Sequence, residues 1–128
     1  MLILDTQAWV WWTTGDRRLV ARARRRITAE AGLAISSLSV MEAAYAVKRG
    51  RLVLNIAFDD WLTLALRSGR VSVTRFDPVA ATLAGSLDWD HCDPMDRGIV
   101  ATAIAAGAAL VTSDRRIRDS GLVDVVWS

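Results

Sequence analysis

Residues 93–114 read DPMDRGIVATAIAAGAALVTSD, and their organisation decides how the rest of the chain is read. Asp93-Pro94 is a helix-starting device. The aspartate supplies a cap, and proline occupies the first helical position, where its missing N–H costs nothing. Small and apolar residues then run to Gly107, a residue type that accepts the positive φ at which helices stop. Ala109–Val111 follows as a short apolar run, and it ends on Thr112, Ser113 and Asp114. A helix, a glycine, a short buried strand and an acid form one unit.

Working outward, further apolar runs occur at Leu2–Leu4, Leu33–Ile35, Val71–Val73 and Val123–Val126. Between the runs the pattern predicts helices near 7–14, 17–30, 39–49, 56–68, 78–86, 94–106 and 115–120. The alternation predicts an α/β fold, an α/β/α sandwich around a central, mainly parallel five-stranded sheet. Residues 1–128 are expected to form a single domain, because so short a chain supports one core. Trp9 and Trp12 fall three residues apart on the first helix, and Trp61 sits beside Leu62 and Leu64. All read as packing, with base stacking by Trp11 or Trp12 as a second reading.

Composition narrows the function classes. A hydrophobic content of 52% with six tryptophans excludes disorder. Cys92 is the only cysteine, which excludes a disulfide scaffold and fits a reducing compartment. The opening MLILDTQAWVWW is apolar but too short to span a bilayer, carries Asp5 and lacks a basic leader. The expectation is a cytoplasmic protein without membrane association.

The acids carry the chemistry. Asp5 ends LILD; Glu42 lies one turn into the helix after LAIS; Asp93 and Asp96 open a helix; Asp114 ends ALVTSD. In a parallel sheet the strand-to-helix junctions share one edge, and ligands bind there. Residues remote along the chain can therefore meet. Each acid has a competing reading as a helix cap. Ser39-Val40-Met41-Glu42 matches a capping box, and Ser113 or Asp114 can cap the last helix. An internal comparison separates the readings. Asp77-Pro78-Val79-Ala80 starts a helix with one acid, so the second acid of Asp93-Pro94-Met95-Asp96 is not needed for starting one.

Crowded carboxylates repel, and a divalent cation relieves the repulsion. Oxygen donors without a His/Cys cluster favour Mg2+ or Mn2+. His91 beside Cys92 makes a poor zinc site, and His91 reads as a loop or surface residue. Of the 16 basic residues all but Lys48 are arginine, which suits bidentate phosphate binding. With Asp5, Glu42, Asp96 and Asp114 gathered in one cleft, the other ten acids leave the remaining chain at +6. That balance suits a polyanionic substrate. Arg97, Arg115 and Arg116, adjacent to acids, are candidates for gripping it; solvated surface is their competing reading.

Taken together, LDTQAWVWW, SVMEAAYAVKRGRL, DPMDRGIVATA and LVTSDRRI resemble the PIN domain, and more narrowly the VapC-type toxin ribonucleases of bacterial toxin–antitoxin pairs. The resemblance spans nearly the whole chain. It places the acidic quartet, catalytic and metal-binding, on Asp5, Glu42, Asp96 and Asp114. Asp93 becomes an accessory acid, and Thr6, Thr112 and Ser113 become hydroxyls that orient an acid or a metal-bound water. The implied activity is that of a type II toxin: an endoribonuclease whose water is activated by one or two Mg2+ or Mn2+ ions. Asp5 and Asp96 would hold the principal ion, with Asp114 completing its shell. Glu42 would orient the attacking water or help hold a second ion. A homodimer and a VapB-like antitoxin are the implied partners, with RNA as substrate. An aspartyl phosphatase needs a second aspartate where Gln7 stands, and Asp5-Thr6-Gln7-Ala8 lacks the glycine-rich turn of a nucleotide binder. The remaining alternative is a non-catalytic PIN-like module that binds RNA or protein. Such a module tolerates loss of an acid, and here all four are present.

Overall fold

The computed structural model describes residues 1–128. Along the chain run β1 (Leu2–Leu4), α1 (Thr6–Thr14), α2 (Ala21–Ala29), β2 (Leu33–Ser36), α3 (Ser37–Lys48), α4 (Phe58–Ser68), β3 (Val71–Thr74), α5 (Pro78–Ser86), α6 (Pro94–Ala106), β4 (Ala109–Val111), α7 (Arg115–Ser120) and β5 (Val125–Val126). The strands form one sheet in the order β3-β2-β1-β4-β5, and every pairing is parallel. β1 lies at its centre, with Leu2–Leu4 paired to Leu33–Ile35 on one side and to Ala109–Val111 on the other. The strand order departs in opposite directions from β1, so the topological switch falls between β1 and β4.

Side-chain alternation splits the core. Leu2, Leu4, Leu33, Ile35 and Val111 face one layer, where Trp9, Ile27 and Ala43 meet them. Ile3, Ala34 and Leu110 face the other, against Ile99, Val100 and Ala103 of α6 and Ile117 of α7. A parallel sheet covered on both faces needs strands that are apolar throughout, and LIL and LAIS comply. The result is the α/β/α sandwich.

Three details depart from the pattern-based reading. The second helix begins at Ala21 rather than near residue 17, because Asp16 folds back and its carboxylate accepts the Arg18 N–H at 2.9 Å. Ser36, not Ser39, caps α3, its hydroxyl accepting the Leu38 N–H at 3.1 Å. The last apolar run forms a strand only at Val125–Val126. Trp11 and Trp12 are both engaged in packing, the first of their two readings. Trp11 lies 6.0 Å from Trp127 with the Arg18 guanidinium over its ring, and the Trp12 indole donates to the Gly69 carbonyl at 3.0 Å.

Gly98 allows α6 to approach α3 closely. A Cβ there would sit 2.3 Å from Leu38 Cδ1 and 3.2 Å from Phe76 Cε1. Gly98→Val is expected to lower stability by about 1–3 kcal/mol through overpacking. A thermal melt checks this; an unchanged midpoint would mean that Leu38 swings aside without cost.

Candidate active site

Asp5 follows the central strand directly. Its N–H bonds the Val111 carbonyl at 3.0 Å, which ties it to β4, and its extended backbone makes it the cap of α1. One carboxylate oxygen, Oδ1, accepts the Ala8 N–H at 2.8 Å. Burial pushes the Asp5 carboxyl up to about 6; the Thr112 hydroxyl and the Ala8 N–H pull against the rise, and the negative charges of Glu42 and Asp114 add to it.

Glu42 reaches the same edge from α3. The Thr6 hydroxyl donates to Glu42 Oε1, and Thr6 Oγ1 lies 2.9 Å from the Oγ of the fully buried Ser39. A hydroxyl has one proton, so Thr6 gives its own to the carboxylate and accepts from Ser39. Ser39 lies inside α3, whose cap is Ser36, and its hydroxyl serves this Ser39–Thr6–Glu42 chain. Glu42 is raised from the usual carboxylate range by burial, against the Thr6 bond, with Asp96 and Asp93 adding to the rise.

α6 leads through Gly107 into the start of β4, so its other end lies at the edge where the strands finish. Asp93 caps it, with Oδ1 accepting from Met95 at 2.9 Å and from Asp96 at 3.4 Å. Asp96, one turn in, is raised by burial, partly offset by a hydrogen bond with His91, with Asp93 and Asp114 pushing it further up. Asp114 caps α7 by accepting the Ile117 N–H at 3.2 Å, and its own N–H bonds Thr112 Oγ1 at 3.0 Å. Ser113 is half-buried beside it and makes no side-chain hydrogen bond of its own.

Asp5, Glu42, Asp96 and Asp114 thus share one electrostatic field, each coupled to at least one other. No lysine or arginine forms an ion pair with any of them; the pairs in the molecule are Met1–Glu30, Arg18–Asp16 and His91–Asp96. Hard oxygen donors without a compensating cation have the chemistry of a divalent-cation site.

The arginine candidates divide. Arg97 turns away from the cleft, and this corrects its assignment to substrate. Its guanidinium donates to the carbonyls of Ala84 at 2.9 Å, Leu87 at 2.9 Å, Trp89 at 2.6 Å and His91 at 3.1 Å, securing the segment between α5 and α6. Arg116 is exposed but contacts His91 Nδ1 at 2.9 Å. Arg115 is exposed and makes no side-chain hydrogen bond. His91 is the residue that sequence reasoning missed. It does lie in a loop, yet its side chain is only 8% exposed and its Nε2 sits 2.7 Å from Asp96 Oδ2. Its position just before Asp93-Pro94 was the one available signal. His91 and Arg116 also line an open groove of about 530 Å³, together with Trp89, Asp90, Cys92, Asp119 and Ser120.

The PIN domain family model matches residues 2–121. The chain belongs to the PIN domain family. This PIN domain is 36% identical over 118 residues to Ribonuclease VapC22 of Mycobacterium tuberculosis (strain ATCC 25618 / H37Rv), covering 91% of this chain and 89% of the relative. Its fold is similar to that of VapBC2 from Rickettsia felis, solved bound to a DNA fragment from its promoter, with a TM-score of 0.72, 19% identity and coverage of 99% of this chain and 98% of that one. The Mycobacterium tuberculosis VapC20 structure, described as a sarcin–ricin loop cleaving toxin, aligns with a TM-score of 0.67 at 17% identity, covering 98% and 99% of the two chains.

Proposed function

We propose that this PIN domain is a metal-dependent endoribonuclease and the toxin of a type II toxin–antitoxin pair. The observation that carries the reading is the shared field of Asp5, Glu42, Asp96 and Asp114 at one sheet edge, three of them pushed up and none paired with a cationic chain. The likeness to a relative named a ribonuclease supports the reaction class. Asp5, Asp96 and Asp114 would hold one or two Mg2+ or Mn2+ ions, with Glu42 beside them. Such an ion, when bound, supplies charge neutralisation at the phosphoryl group and a more acidic water.

The chain's own side chains have separate tasks. Thr6 fixes the Glu42 carboxylate, leaving its other oxygen to accept a proton or orient water. Thr112 stands between Asp5 and the Asp114 backbone and so keeps two acids in register across β1 and β4. Ser113 is available to a water beside them. Arg115 is free to meet a phosphate of the RNA backbone. A VapB-like antitoxin and a second copy of the chain are the partners in this reading. No helix is long and apolar enough to cross a membrane.

The test is direct. Protein stripped of metal is incubated with structured RNA in chelator, then with Mg2+ or Mn2+ restored. Cleavage is expected only after restoration, and cleavage that persists in excess chelator would overturn the reading. RNA that is bound but never cut under any metal condition would instead support the non-catalytic module.

A further inference from the structure

We infer that His91 is a positioning residue for Asp96, that Arg116 locks it in a single tautomer, and that it is not itself a metal ligand. The role of Asp96 as a ligand rests on the function proposed above; the tautomer does not. At first sight the cluster invites the opposite assignment. The ligating atoms of His91, Asp93 and Asp96 lie within 4.8 Å of one another, a spacing open to a metal ion.

The hydrogen bonds decide against His91 as a ligand. Both of its ring nitrogens are engaged, Nε2 with Asp96 Oδ2 at 2.7 Å and Nδ1 with Arg116 Nη1 at 2.9 Å. A guanidinium has donors and no acceptor. Nδ1 must therefore present its lone pair to Arg116. The ring proton then sits on Nε2 and is donated to Asp96. The partner of one imidazole nitrogen sets the state of the other. For Nε2 to bind a metal, its proton would have to move to Nδ1, into the N–H of Arg116.

The ring is also held in place. It meets Trp89 edge-on with centroids 4.8 Å apart, and its side chain is 8% exposed. Its backbone carbonyl is one of those gripped by Arg97, the residue next to Asp96. A single turn of α6 thus carries the carboxylate and anchors the loop that orients it. Arg116 lies in the first turn of α7, two residues after Asp114. The Asp96–His91–Arg116 chain consequently bridges the starts of two helices that each bring one acid to the cleft. It occupies one oxygen of Asp96 and leaves the other for an ion. Partners of this outer kind change metal affinity by about 10–100-fold when removed.

His91 is the only histidine, so its imidazole gives an unambiguous nitrogen spectrum. Long-range proton–nitrogen correlation on the 15N-labelled full chain should show protonated, pyrrole-type Nε2 and pyridine-type Nδ1. That pattern is expected in metal-free protein and again with Mg2+ added. A proton on Nδ1, or loss of the Nε2 proton on adding Mg2+, would overturn the inference. Calorimetric titration with Mn2+ then compares native protein, His91→Ala and His91→Gln. The glutamine amide reaches the place of Nε2 and can still donate. His91→Ala should bind Mn2+ about 10–100-fold more weakly, and His91→Gln should recover most of the loss. Native affinity in His91→Ala, or equal weakness in both variants, counts against positioning. Should His91→Ala fail to fold, the native spectra and the glutamine variant still decide. Native protein that binds no Mn2+ overturns the metal site of the proposed function, while the metal-free spectrum tests the tautomer on its own.

Discussion

Replacing Asp5 with asparagine is expected to reduce RNA cleavage by about three orders of magnitude and, in the same molecule, to raise the stability of the metal-free fold. On the proposed function, the substitution removes one anionic ligand from a site where metal charge stabilisation is worth several kcal/mol, with each 1.36 kcal/mol equal to a factor of about ten. The stability gain follows from burial. Asp5 is displaced from 3.8 to about 6, so holding it ionised at pH 7 costs about 3 kcal/mol. Asparagine removes that charge, keeps the volume and still caps α1. A thermal midpoint higher by about 10 °C is expected. An acid that served only as a cap would leave both cleavage and stability nearly unchanged on this substitution. Cleavage assays and melts of the same preparation therefore separate the two roles.

The second large effect is a pH dependence that metal reverses. Asp5, Glu42 and Asp96 are all raised in the folded state. The fold then binds protons more tightly than the unfolded chain, so its extra stability is present in full only below the ordinary carboxylate range. It is lost as pH rises through the folded values, for Asp5 between about 4 and 6. Metal-free protein should therefore melt lower at pH 7 than at pH 5, by about 5 °C, because about 1.3 kcal/mol of the Asp5 contribution is lost between those two values and the rest is already gone by pH 5. Mg2+ at about a hundred times its dissociation constant should return about 2.7 kcal/mol at pH 7. It should return much less at pH 5, where protons compete for the same oxygens. Calorimetric melts at the two pH values, with and without Mg2+, provide the check. A metal-free protein more stable at pH 7 than at pH 5 would contradict the crowding of these acids.

The sequence made the architecture legible because its signals were local. Asp77-Pro78 and Asp93-Pro94 start helices, Gly107 and Gly121 end them at positive φ, and LIL and LAIS are apolar throughout because they are covered on both faces. Capping and site chemistry had stood as rival readings of the acids, yet the geometry accommodates both. Asp5 and Asp114 each commit Oδ1 to a helix N–H and keep a second oxygen. What stayed hidden depends on partners far along the chain. Ser39 lies within the helix, and its hydroxyl meets Thr6, 33 residues away. Arg116 turns to His91 at a separation of 25 residues. Arg97 closes on carbonyls released by the end of α5, and no local pattern announces where a guanidinium will find them.

The central place of β1 has a consequence for biosynthesis. Its residues are synthesised before every other strand of the sheet, yet one of its two neighbours, Ala109–Val111, is added more than a hundred residues later. Asp114 follows later still. A nascent chain therefore cannot bring the acids of the cleft together before Asp114 has been synthesised, however early Asp5 and Glu42 are in place.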